Sequence, residues 1–226
     1  VAEFVGNKII ESPEFELFET MYGTSTDGLR HLDRHLGRLT RSARDLGFEC
    51  DIIRLHDEVR QFEASLTHGV PHRVRLSLKR SGEIHLQSVP IEPLRDEPVK
   101  IFRAPDLGFL PRNSLDPLLQ YKTSLRGDYD RGWQLAQGLG GFDMLFSNER
   151  GELTEGGRTN VFLRIDGSIW TPPLSSGLLP GIMRGVLLDD PKFGAAERVL
   201  PFSELARAEE IMICNSLRGV LHAVLV

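Results

Sequence analysis

Apolar residues fall at helical spacing near the start of the chain. Leu32, Leu36, Leu39, Ala43 and Leu46 recur at steps of four and three, which draws one apolar stripe along a helix over 31–47, with Gly47 as its C-terminal stop. Residues 52–68 repeat the pattern through Leu55, Val59, Phe62 and Leu66, ahead of Gly69. The period then changes. Val74, Leu76 and Leu78 alternate with polar residues, Ser81 and Gly82 mark a turn, and 84–87 alternate again, which predicts a β-hairpin. Residues 99–102 predict a further strand. From 104 to 120 the prolines Pro105, Pro111 and Pro117 break all periodicity, and a domain boundary is expected near 105–118.

The second half predicts a helix over 128–139 and strands over 142–147, 161–165 and 168–171, with turns at 148–151 and 166–167. Pro180 and Gly181 open a helix that runs through Leu188, 202–208 form a short helix, and 211–214 and 221–226 read as buried strands. The mixture is α+β. It is expected to divide into a small N-terminal domain over 1–107, a linker over 108–118 and a C-terminal domain over 119–226. No tandem repeat appears.

Composition narrows the field. The chain has 226 residues, 40% hydrophobic and 26% charged, the profile of an ordinary soluble protein whose core needs no disulfide or metal staple. A formal charge of −5 leaves no electrostatic footprint for nucleic acid or an anionic membrane, although arginines cluster over 30–44. Cys50 and Cys214 stand far apart with no metal-ligand spacing, so no metal is expected and a reducing, cytoplasmic setting fits. Residues 1–16 are too polar for a signal peptide, and no apolar run approaches the roughly 20 residues of a membrane helix. The chain starts with Val, as a trimmed chain or a piece of a longer polypeptide would.

The signatures of nucleotide-binding loops, serine hydrolases and zinc proteases are missing. Glycine and polar residues concentrate over 154–160, between two apolar strands. That stretch reads either as a plain hairpin loop or as backbone made to approach a ligand closely. Residues 178–184 begin a helix whose free N–H groups could hold a phosphate, although most helix starts hold only water. Taken alone, Lys122 is a solvated surface charge, periodicity does not single out Arg38, and His35 lies near enough to the apolar stripe to be packed.

Six motifs change this picture: F-E-L-F-E-T-M, H-L-D-R-H-L-G-R-L, Y-K-T-S-L-R, G-E-L-T-E-G-G-R-T-N-V-F, T-P-P-L-S-S-G-L-L-P-G-I-M-R and C-N-S-L-R-G. In that order and spacing, from about Phe15 to the C-terminus, they resemble the class IV aminotransferases, the fold-type IV pyridoxal-phosphate (PLP) enzymes. Within the family they look most like the aminodeoxychorismate lyases, including the form fused to aminobenzoate synthase. Branched-chain aminotransferases usually show E-G-x-x-E-N-L-F, where this chain has Arg158 and Thr159 before Asn160.

The resemblance implies a two-domain α+β fold, with a smaller N-terminal α/β sandwich and a C-terminal β-barrel-like domain carrying helices. It implies PLP bound covalently by Lys122, which then shuttles protons. Glu155 would pair with the pyridine nitrogen, Tyr129 with the ring 3′-oxygen, and Asn160 would support the Glu155 loop. Arg38, the backbone of Ile182 and Met183, and Ser216 would hold the phosphate. Arg218 and Arg158 are the candidates for a substrate carboxylate. The implied reaction is conversion of 4-amino-4-deoxychorismate to 4-aminobenzoate and pyruvate, which feeds folate synthesis. The alternative is transamination of branched-chain or D-amino acids. A homodimer is implied, and the fused form places such a chain within a longer aminobenzoate synthase polypeptide. A non-catalytic scaffold would have no physical reason to keep Lys122, Glu155 and Arg38 together.

Overall fold

The alternating and helical segments of the first half assemble into one sheet with two helices. The computed structural model describes residues 15–94 and 97–226; most of the polar N-terminal segment, residues 1–14, lies outside them. Strands β1 (Leu17–Thr24), β2 (Gly28–Leu29), β3 (His72–Leu78) and β4 (Ile84–Pro90) form an antiparallel sheet in the order β2-β1-β3-β4. Leu17 faces Leu78 in the β1–β3 register, and Leu78 faces Ile84 across the hairpin. Helix α1 (Leu32–Leu46) buries Leu36, Leu39, Ala43 and Leu46, the stripe read from the sequence. Gly47 ends it in the left-handed region (φ 69°), where glycine has no Cβ to clash, and its N–H bonds the Ala43 carbonyl.

Helix α2 (Ile52–Ala64) starts at Asp51, whose carboxylate accepts from the N–H groups of Ile53 and Arg54. It stops four residues short of the expected end. There the Ser65 hydroxyl donates to the Phe62 carbonyl, and Leu66 N–H tightens onto Glu63. Strand β1 was not expected from periodicity. Its first three residues, Leu17, Phe18 and Glu19, are all buried, and an acid among them erases the alternation on which strand reading depends.

The second half builds a larger sheet. Strands β5 (Val99–Arg103), β6 (Asp143–Ser147), β7 (Leu153–Gly156), β8 (Asn160–Ile165), β9 (Ser168–Thr171), β10 (Ala195–Glu197), β11 (Glu210–Asn215) and β12 (Gly219–Leu225) run in the order β10-β9-β8-β11-β12-β5-β6-β7. Helices α3 (Gly127–Gly138) and α4 (Ile182–Asp189) accompany it. Ile101, Leu145, Leu153, Val161, Leu163, Ile213 and Leu221 form the largest part of its core. The expected helix over 202–208 is a 3₁₀ turn at Phe202–Ala206.

The chain falls into two units. One is the described residues up to Pro93 together with Tyr121–Leu125; the other is Leu94–Gln120 with Arg126–Val226. Tyr121–Leu125, expected with the C-terminal domain, belong to the first. Residues 94–107, expected with the first domain, belong to the second. The reason is β5, which lies inside the large sheet and pairs in parallel with both β12 and β6. The proline-broken stretch is ordered: 3₁₀ turns cover Ala104–Leu107 and Pro117–Gln120, and Arg112 exchanges backbone bonds with Ser147 and Glu149. Prolines exclude helix and strand there but leave such local bonding open.

Candidate active site

In the second unit, the polar stretch between two apolar strands is itself half strand. β7 ends in Thr154, Glu155 and Gly156, all buried, and β8 begins with Asn160. Glu155 is 6% exposed. One of its oxygens accepts from the Leu179 N–H at 3.2 Å and the other from Asn160 Nδ2 at 3.3 Å. Asn160 Nδ2 also donates to the Leu179 carbonyl at 3.1 Å. A buried carboxylate held by neutral amides can take a further cationic donor, which a protonated ring nitrogen would supply.

Tyr129, on α3, stands beside this carboxylate. Its ring packs edge-on against Phe146, and its hydroxyl is buried with no hydrogen-bond partner among the described residues. Burial, and then the nearby Glu155 charge, push the phenol well above its ordinary pKa. The carboxylate is therefore close without being in hydrogen-bond geometry with the hydroxyl. An orphaned buried hydroxyl is rare in native proteins and marks a place where an absent acceptor fits.

Helix α4 starts at Gly181 with no side-chain cap, so its first-turn N–H groups, those of Ile182 and Met183 included, are open to an anion. Asn160 reaches this start too: a Cβ at position 181 would collide with Asn160 Oδ1. Ser216 is buried in the tight turn between β11 and β12. Asn215 shapes that turn by accepting from the N–H groups of Leu217 and Arg218, and its Nδ2 donates to the Arg158 carbonyl. Half-buried Arg218 rides on the same turn. Glu155, Asn160, the α4 start and the 215–218 turn are thus tied into one network within this unit.

Arg158 behaves differently from the expectation. Its guanidinium pairs with Asp130 at 3.2 Å and lies 4.6 Å from the centre of the Trp133 ring, both on α3. That engagement turns it toward the helix.

In the first unit, Lys122 lies beside β1. Its carbonyl accepts from Phe18 N–H at 3.0 Å, Thr123 bridges to Leu17, and its ammonium lies 4.6 Å from the centre of the Phe18 ring. Arg75 lies over the same ring at 3.9 Å. The bridge fixes the backbone of Lys122.

Arg38 is buried on α1 beside His35. Arg38 donates from Nε to one oxygen of Glu19 at 2.8 Å and from Nη2 to the other at 2.6 Å, and His35 Nδ1 meets the second oxygen at 2.6 Å. Burial raises the Glu19 pKa, but Arg38 and His35 outweigh it, and the result is about 2. His35 Nε2 is buried with no partner among the described residues. Lys122 and Arg38 are anchored on neighbouring residues of β1, Phe18 and Glu19, whose side chains leave opposite faces of a strand.

Sequence reasoning overlooked two carboxylates. Glu19 holds Arg38, and Asp143 organises the turn between Glu155 and Asn160. Each carried the same faint signal: one acid beside apolar residues, L-F-E-T-M and G-F-D-M-L-F.

A family model described as amino-transferase class IV matches residues 16–226, nearly the whole chain. The chain belongs to the class IV aminotransferase family. It is accordingly an enzyme of a pyridoxal-phosphate-dependent family, with the fold-type IV architecture. A Schizosaccharomyces pombe protein provisionally named an aminodeoxychorismate lyase is 30% identical over 223 residues, covering 94% of this chain and 90% of that protein. The crystal structure of a provisionally named amino-acid aminotransferase from Mesorhizobium loti is 36% identical, with a TM-score of 0.84 over 94% of this chain and 100% of that one. A provisionally named branched-chain aminotransferase from Thermotoga maritima shares the fold at 22% identity, with a TM-score of 0.82 over 98% of this chain and 80% of that one. For this class IV chain, the orphaned Tyr129 hydroxyl, the buried Glu155 and the uncapped α4 start fit a group that brings a phenolate oxygen, a ring nitrogen and a phosphate.

Proposed function

We propose that this enzyme is a PLP-dependent 4-amino-4-deoxychorismate lyase, releasing 4-aminobenzoate and pyruvate for folate synthesis. The observation that carries the cofactor reading is the buried Glu155 carboxylate, clasped by Asn160 and Leu179 beside a phenol hydroxyl with no hydrogen-bond partner among the described residues. Its orientation toward the lyase rests on the Arg158-Thr159 form of the loop and on the S. pombe relative named for that activity.

PLP, when bound, supplies an electron sink for the carbon that bears the substrate's amino group. Glu155 holds a proton on the ring nitrogen, which keeps that sink effective. The Tyr129 hydroxyl donates to the ring 3′-oxygen. Arg38, the Ile182 and Met183 amides and Ser216 are the candidate phosphate-binding groups. Lys122 holds the cofactor and its amine takes the proton from the carbon bearing nitrogen. The enolpyruvyl group leaves the adjacent carbon, gains a proton and departs as pyruvate while the ring becomes aromatic. Arg218 meets a substrate carboxylate, and Asn160 keeps Glu155 in place. The enzyme works as a cytoplasmic homodimer, alone or as part of a longer aminobenzoate synthase polypeptide.

The Mesorhizobium loti structure, similar over its full length and named an amino-acid aminotransferase, favours a second reading, transamination; the family resemblance supplies branched-chain or D-amino acids as its donors. One experiment separates the two. The enzyme with PLP and 4-amino-4-deoxychorismate is expected to release 4-aminobenzoate and pyruvate in equal amounts with no amino acceptor present. Lys122→Ala is expected to release neither. Turnover that requires a 2-oxo acid would replace the lyase by the transaminase.

A further inference from the structure

Glu155 and Asn160 bracket a tight turn, and that turn is wound around a single side chain. Asp143, at the head of β6, is wholly buried. Its Oδ2 accepts from the Arg158 N–H at 2.9 Å and from the Thr159 hydroxyl at 2.7 Å, and its Oδ1 accepts from the adjacent Met144 N–H at 2.8 Å. The turn closes through Gly156 N–H to the Thr159 carbonyl at 2.7 Å and docks on β6 through Gly157 N–H to the Met144 carbonyl at 3.1 Å. From the other side, the Arg126 guanidinium donates to the Gly157 carbonyl and, at 2.9 Å, to Asp130.

The two glycines of the turn follow from this arrangement. Neither has a positive φ. A Cβ at 156 would stand 2.5 Å from Asp143 Oδ2, and one at 157 would stand 3.0 Å from Oδ1 and 2.8 Å from the Tyr129 carbonyl. They are glycines because the backbone passes too close to the Thr159 hydroxyl and the Asp143 carboxylate at 156, and to the Tyr129 carbonyl and Asp143 at 157, for a side chain to fit. Thr159 immediately precedes Asn160, whose amide in turn bonds Glu155. Any movement of Thr159 is passed on within one residue to the group that holds Glu155.

We infer that Asp143, acting through Thr159, is the positioning residue that fixes Glu155 and Asn160 for the cofactor ring. The inference rests on the reading of Glu155 as the partner of the ring nitrogen. It accounts for Thr159 by chemistry, since the position requires a hydroxyl donor directed at a buried acceptor. It also requires a carboxylate at 143: an amide there would turn an N–H against donors on one side or the other.

The test titrates the purified enzyme with PLP, following the visible absorption band across pH, and measures thermal unfolding of the same proteins without PLP. Thr159→Val removes the hydroxyl at nearly constant volume. It is expected to weaken PLP binding about tenfold, the lower end of what one hydrogen bond to a charged group contributes, and to shift the pH midpoint of the bound band. Thr159→Ser is expected to restore both to wild type, and Asp143→Asn to exceed Thr159→Val in both. Thr159→Ala carries the same expectation as Thr159→Val and replaces it if the valine variant does not fold. A hydroxyl-deleting variant that unfolds earlier but binds PLP with wild-type affinity and pH profile would overturn the positioning role and leave the functional reading standing. Wild type that binds no PLP would overturn both.

Discussion

The Glu19–His35–Arg38 cluster makes a quantitative prediction about acid stability. Glu19 is 1% exposed, so solvent does little to screen its interactions. Its pKa falls from 4.5 to about 2 because Arg38 and His35 outweigh the cost of burial. A carboxyl depressed on folding stabilises the fold fully above its unfolded pKa, and that stabilisation is lost as pH falls toward the folded value. At about 1.4 kcal/mol per pH unit, the depression is worth about 3 kcal/mol. Glu19→Gln removes the charge and leaves Arg38 buried against a neutral amide, a change of the kind that costs about 3–5 kcal/mol. Denaturant unfolding of wild type and Glu19→Gln, followed by circular dichroism, should therefore show a gap of about 3 kcal/mol at neutral pH. The gap should hold down to about pH 5 and close progressively toward about pH 2, as wild-type Glu19 itself becomes neutral. Subtracting the two curves removes the other carboxyls, which titrate alike in both proteins. A gap that stayed constant across that range would show that Glu19 contributes shape and not charge, and the reasoning about Arg38 would fail with it.

Two further expectations follow from single contacts. Gly181→Ala places a methyl group on Asn160 Oδ1, so it should displace Asn160 from Glu155 and Leu179 and weaken PLP binding in a spectroscopic titration, with unfolding temperature changed far less than affinity. Cys214 is fully buried and its thiol is pushed up to about 12 by burial, so iodoacetamide should label it only after denaturation, whereas labelling of the native protein at the rate of a small thiol would contradict its placement in β11.

The parts of the fold that were legible in the sequence are those where one face meets water. Helix α1 and the β3–β4 hairpin each set apolar against polar residues at their own period, and both stand close to where the periodicity places them. β1 and β7 were not legible, for a shared reason. Both are buried at consecutive residues, and both carry an acid inward, Glu19 in one and Glu155 in the other. The location of β5 in the second unit was hidden for a different reason. Its parallel partners β12 and β6 are distant in sequence, and no local pattern records such pairing.

The candidate site divides in the same way. Motif order alone picked out Lys122 and Arg38, which periodicity does not distinguish from surface residues, whereas the 154–160 stretch and the α4 start were open to a ligand reading from composition and helix position as well. The motifs did not indicate which carboxylates hold these groups. A buried charge needs partners on every side, and those partners arrive from other strands: Glu19 from β1 to Arg38 on α1, and Asp143 from β6 to the turn before β8. The same need explains why the residues around these acids look unremarkable in sequence. Gly156 and Gly157 read as loop composition, yet they mark where the backbone passes within a Cβ's reach of the Asp143 carboxylate. Arg158 reads as a free cation for a substrate, yet Asp130 and Trp133 already engage it. In this chain the acid of G-F-D-M-L-F and the G-G-R-T that follows are therefore one feature, a carboxylate with a turn built around it.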